Sequence, residues 1–116
     1  MDEITQFRKD LLEKVSRMES MEEEFGIKIN RLSIITEPDN DGVNINFEVT
    51  SISGKKLKDD IEIHFAFYDN NGFITCKDSI YIDSDRFKGF SIESTYCDLH
   101  TEARNINRIV CYPSKY

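Results

Sequence analysis

The chain changes hydrophobic period once, and that change limits its fold more than any other feature. Ile4, Phe7, Leu11, Val15, Met18 and Phe25 recur at the spacing of one helix face. From Ile27 onward apolar residues fall at every second position, most clearly in Val43-Asn44-Ile45-Asn46-Phe47-Glu48-Val49 and Ile61-Glu62-Ile63-His64-Phe65-Ala66-Phe67. The pattern predicts one N-terminal helix followed by a compact antiparallel β domain. It puts Val43, Ile45, Phe47 and Val49 in one interior with Ile61, Ile63, Phe65 and Phe67. Asn44, Asn46, Glu48, Thr50, Glu62, His64, Ala66 and Tyr68 then face outward.

The helix is expected from Asp2 to Phe25, dividing the chain into a helical segment, 1–26, and a β-sandwich domain, 27–116. Asp2 can cap it, Glu3 suits the positive end of its dipole, and Gly26 supplies a left-handed stop. Glu22, Glu23 and Glu24 lie at the negative end, where carboxylates are unfavourable. No residue of the helix compensates them, so relief needs a cation from elsewhere. Apolar parity shifts between Ile29 and Leu32, which predicts a bulge near Arg31. Strands follow at 43–51, 61–68, 73–82, 87–94 and 105–112, with an interruption around Lys77 and a bulge at Gly89. The stretch from Thr95 to Ala103 reads as less regular, and Pro113 ends the last strand. Asp69-Asn70-Asn71-Gly72 is the strongest hairpin signal. Six or so short strands at these spacings predict an immunoglobulin-like antiparallel β-sandwich preceded by one N-terminal α-helix. The competing architecture is α+β, a single curved sheet covered by the helix.

The 116 residues suit one domain and carry 22 acidic against 15 basic side chains, a net charge of -7. That balance argues against nucleic acid, whose phosphates need clustered Lys and Arg. No apolar run is long enough to span a membrane, and Met1-Asp2-Glu3 does not open a secretory signal. Cys76, Cys97 and Cys111 are odd in number and irregularly spaced, with no Cys-x-x-Cys. Reduced thiols suit a cytoplasmic setting.

The segment Ile61-Glu62-Ile63-His64-Phe65-Ala66-Phe67-Tyr68-Asp69-Asn70-Asn71-Gly72-Phe73-Ile74 resembles the signature hairpin of bacterial FxLYD-type immunoglobulin-like modules. Those modules place an aromatic-Tyr-Asp-x-x-Gly-aliphatic sequence after a buried strand. The resemblance extends over roughly 43–92. Ser51-Ile52-Ser53-Gly54 replaces the usual turn after the first module strand, and the N-terminal helix is an addition. The resemblance implies a non-catalytic scaffold or adhesion-like role and transfers no active-site residue.

No Gly-x-Ser-x-Gly, phosphate-binding Gly-rich loop or His-Glu-x-x-His occurs, so no catalytic, cofactor-binding or metal residue is assigned and no cofactor is expected. His64 beside Glu62 reads as a surface histidine near a carboxylate. Asp39-Asn40-Asp41 and Asp83-Ser84-Asp85 could offer oxygens to calcium, yet Asp and Asn are also ordinary turn formers. The helix offers more. If two sheets cover each other, its stripe must dock over an open end or edge, or find another molecule. Phe7, Leu11, Leu12, Val15, Met18, Met21 and Tyr68 are therefore the partner-binding candidates. The expected function is a non-catalytic protein–protein interaction module. Its partner would be another protein chain, either a second copy in a homodimer or a larger protein with a basic surface. The alternatives are an acidic inhibitor or immunity-type protein masking a basic site on a larger enzyme, and a hydrolase with an unrecognised site. Carboxylates gathered in one patch would favour the inhibitor; dispersed ones favour the module.

Overall fold

The two-residue alternation resolves into two packed sheets. The computed structural model describes residues 2–116. In chain order its elements are α1 (Glu3–Glu13), β1 (Val15–Arg17), α2 (Glu19–Glu24), β2 (Ile27–Ile35), β3 (Gly42–Ser51), β4 (Ile61–Asp69), β5 (Ile74–Ile82), β6 (Phe90–Asp98), a 3-10 turn at Ala103–Asn105, and β7 (Ile106–Lys115). Among the described residues, one sheet has the order β1-β7-β4-β5 and the other β2-β3-β6. This is a mostly β sandwich with a helical N-terminal segment. The single covered sheet is not formed.

The core follows the alternation. Val43, Ile45, Phe47 and Val49 of β3 meet Ile61, Ile63, Phe65 and Phe67 of β4, all buried. Phe47 and Phe65 touch edge to face, with ring centroids 5.1 Å apart. The parity shift at Arg31 is a bulge: Arg31 has φ of 53°, and the β2–β3 register slips between Asn30 and Ser33. The hairpin forms where Gly72, at φ 82°, completes the turn, and the Asp69 carboxylate accepts from the Asn71 and Phe73 N–H groups.

The N-terminal segment departs from the single expected helix. The chain leaves α1 at Lys14 and runs alongside β7, where Val15, Ser16 and Arg17 pair in parallel with Ile109, Val110 and Cys111. The Ile109 N–H donates to the Lys14 carbonyl and the Met18 N–H to that of Cys111. The β7 edge offers the backbone partners that a continued helix would otherwise supply, and tertiary pairing overrides the periodic signal. It also makes the sandwich not wholly antiparallel.

Three strand boundaries differ as well. β5 runs without interruption through Lys77, with its register shift nearer its start. β6 continues to Asp98, beyond the expected stop. β7 runs through Pro113, which lies opposite Ile63 of β4; β1 has already ended at Cys111, so β7 is an open edge there.

Candidate functional site

The expected partner surface on the N-terminal segment is largely used internally. Leu11 is 2% exposed and belongs to the core, and Phe7, Val15 and Phe25 pack against it. The correction has a simple cause: the gap between β2 and β7 is the apolar surface that this stripe needed. Polar contacts hold it there, from Arg8 Nε to the Thr36 carbonyl at 3.0 Å and from Lys14 Nζ to the Ile106 carbonyl at 3.2 Å. Leu12 stays exposed, while Met18 and Met21 are half-buried. Tyr68 is half-buried too and lies elsewhere, on β4, with the Arg108 guanidinium 5.7 Å from its ring centroid.

Glu22 finds the cation that its helix lacked. Its carboxylate is buried and accepts from Arg17 Nε at 3.0 Å and from the Ile29 N–H at 3.1 Å. The arrangement ties α2 to β1 and β2 together. Cys111 lies close by; burial, reinforced by the Glu22 charge, pushes its thiol up to about 12.

A row of exposed apolar residues lies on the other side of the molecule. β6 is an edge strand, and among the described residues its backbone pairs only with β3. Its outward row includes Phe90 (50% exposed), Ile92 (69%) and Tyr96. Opposite them on β3 stand Thr50, Glu48 and Asn44, so the apolar row follows the free edge. Beside it is a cleft of about 270 Å³ lined by Tyr81, Ile82, Asp83, Arg86, Phe87, Ser91 and Glu93. Two of its groups lack partners among the described residues: Ser91 Oγ is buried without a hydrogen bond, and half-buried Glu93 makes no ion pair. Sequence reasoning stopped the strand at Ser94 and missed this surface. Alternation of Phe90, Ile92, Ser94 and Tyr96 with inward Ser91, Glu93, Thr95 and Cys97 was the available signal.

Two further groups bear on chemistry. His64 on β4 is only 9% exposed although it faces outward, stacked on Tyr112 with centroids 4.8 Å apart. Its Nε2 lies 2.6 Å from Ser114 Oγ, while Nδ1 is buried and without a partner among the described residues. Burial holds the imidazole below its usual pKa, Lys77 adds to that, and Glu62 opposes it. Glu62 itself accepts from Ser79 Oγ at 3.0 Å. This is a Ser-His pair without the acid that orients the base in a hydrolytic triad. The second group is Asp60, whose carboxylate accepts from Tyr81, from the Ser84 N–H and from Ser84 Oγ. The bond to Asp60 raises the Tyr81 hydroxyl to about 12.

The Asp83 loop is closed by an Asx turn, its carboxylate accepting from the Asp85 N–H. No group of three or more His, Cys, Asp or Glu side chains among the described residues is placed to hold a metal ion. Carboxylates are dispersed. Asp39, Asp41, Asp98 and Glu102 border one loop cluster, Asp83 and Glu93 line the cleft, and Glu19, Glu23 and Glu24 follow α2. No helix among the described residues is long and apolar enough to cross a membrane.

No protein-family model matches the chain, and no curated protein matches it. Among solved structures it is similar to a crystal structure of a DUF1425 family member from Shewanella sp. pv-4, with a TM-score of 0.46, 14% sequence identity and 78% of each chain covered. A likeness so slight carries neither fold nor function across.

Proposed function

We propose that this chain is a small non-catalytic protein–protein interaction module that receives an extended, basic segment of another protein along β6. The observation that carries the reading is the apolar row of Phe90, Ile92 and Tyr96 beside an unpaired strand edge. A strand added to that edge would complete backbone hydrogen bonds and pair its own apolar side chains with this row. Its alternate positions would turn toward the cleft, where Glu93 and Asp83 suit a Lys or Arg side chain and Ser91 Oγ awaits a donor. The hairpin's resemblance to FxLYD-type modules points the same way. The dispersal of carboxylates favours a module over an inhibitor with one masking patch. The proposed setting is the cytoplasm, where any disulfide is transient.

The test uses the full chain and synthetic peptides in which valine alternates with lysine. Saturable binding should increase amide-exchange protection along β6 and weaken with salt. Ile92→Asp and Glu93→Gln should each weaken it about tenfold or more, the loss of roughly 1.4 kcal/mol. Binding unchanged by both variants, or absent across a panel of such peptides, would overturn the proposal. A wild-type dimer that Ile92→Asp converts to monomer would replace the basic segment with a second copy.

A further inference from the structure

The open side of the sandwich carries a second feature, independent of any partner. β5 and β6 belong to different sheets, and their Cα atoms approach within 8 Å. The β5 positions opposite the buried residues Phe67, Phe65, Ile63 and Ile61 are Cys76, Asp78, Ile80 and Ile82, so these turn inward. On β6, Cys97 and Thr95 lie opposite Val43 and Ile45 and turn inward as well. The Thr95 hydroxyl donates to the Asp78 carboxylate, which fixes how the two strands face each other. One inward step along each strand from that contact leads to Cys76 and Cys97. Farther along, Ile82 of β5 and Ser91 of β6 line one cleft, so the two strands run antiparallel and Cys76 falls beside Cys97, close enough for each thiol to shift the acidity of the other. Cys97 is buried, whereas Cys76 is half-buried at the surface. Cys111 is buried on β7 beside Glu22 and Arg17.

We infer that Cys76 and Cys97 form a reversible disulfide that latches β5 to β6 across the two sheets. A small-molecule disulfide such as oxidised glutathione is the oxidant. The Cys76 thiol loses its proton and attacks one sulfur of that disulfide; the S–S bond breaks, and one glutathione leaves as thiolate to take up a proton. Cys97 then loses its proton and attacks the Cys76 sulfur of the mixed disulfide, releasing the second glutathione. Two protein thiols are oxidised to one disulfide, and one glutathione disulfide is reduced to two thiols. Burial raises the pKa of both cysteines, so the reaction should quicken as pH rises.

The experiment incubates the native full chain with oxidised glutathione, then maps peptides by mass spectrometry without reductant. The expected product has lost two hydrogens and links Cys76 to Cys97. It should lower the unfolding equilibrium constant on the order of 100-fold, as closing a loop of this kind does, and dithiothreitol should reverse both changes. Cys111→Ser should leave the product unchanged. Cys97→Ser should stop the reaction at a glutathione adduct on Cys76. A wild-type chain that also stops at that adduct overturns the inference. So does a bond involving Cys111, one that forms only in denaturant, or one that lowers the melting temperature.

Discussion

The two long sides of this sandwich are closed by different means. On one side, α1, β1 and α2 fill the gap between β2 and β7 with a buried leucine, a parallel backbone pairing and a buried carboxylate. On the other, β5 and β6 meet through side chains alone: one Asp–Thr contact and two neighbouring thiols. The first side also exposes Ile4, Leu12, Ile35 and Ile52, but its strand edges are covered by the N-terminal segment. The second leaves Phe90, Ile92 and Tyr96 in solvent next to an unpaired edge. A sandwich has two such sides, and the N-terminal segment of this chain covers one of them. Stability should concentrate on the closed side and recognition on the open one.

That contrast can be broken most directly with charge on the closed side. Phe7→Asp combined with Leu11→Asp puts two carboxylates against the core and should leave the chain unfolded at room temperature, as circular dichroism would report. Leu11→Ala alone should cost about 2–5 kcal/mol in chemical denaturation. A loss under about 1 kcal/mol would mean that the helix contributes no seal. Glu22→Ala comes next. It removes the acceptor of the Ile29 N–H but leaves Arg17 partly open to water, so about 1–3 kcal/mol should be lost.

His64 gives a smaller, pH-dependent effect on the outer face of the β1-β7-β4-β5 sheet. Its folded pKa lies below the ordinary value near 6.5. The unfolded chain therefore binds the proton first as pH falls. The contribution is fully present above about 6.5 and declines from there toward the folded pKa. His64→Gln should flatten the fall of stability as pH drops below about 6.5, and an unchanged slope would remove His64 from the account. The smallest effect is expected on the open side. Ile92→Ser should change stability by no more than about 0.5 kcal/mol while weakening peptide binding. A large destabilisation would show that the exposed row supports the fold after all.

Legibility in the sequence follows the same division. β3 was readable because every second residue is buried, β4 because its large apolar residues alternate even though His64 and Ala66 between them are buried too, and the slip at Arg31 because a bulge reverses parity. The helix break at Lys14 was not, because Val15 and Met18 continue a helical stripe while what captures them is the edge of a strand near the other end of the chain. Glu22 looked misplaced for the same reason: Arg17 reaches it from β1, an element that the periodicity concealed. The last part of β6 was hidden by Thr95 and Cys97, which fill interior positions without looking strongly apolar. The candidate site depended on that strand and was illegible with it. The thiol pair depends on two edge strands approaching across sheets, which spacing along one chain does not encode.

The pairing of Val15 with Ile109 has a consequence in time. During synthesis α1 and β1 emerge well before the strand that receives them. Until β7 has left the ribosome, Leu11 and Phe7 have no finished seat, and the β2–β3 hairpin stands with an uncovered flank. Contacts that span nearly the whole chain slow folding, because the loop between them must close before they form. The fold should therefore be completed only once β7 has been made, with α1 and β1 among the last parts to settle. A nascent chain halted before Ile106 should expose the apolar stripe to whatever else is in the cell.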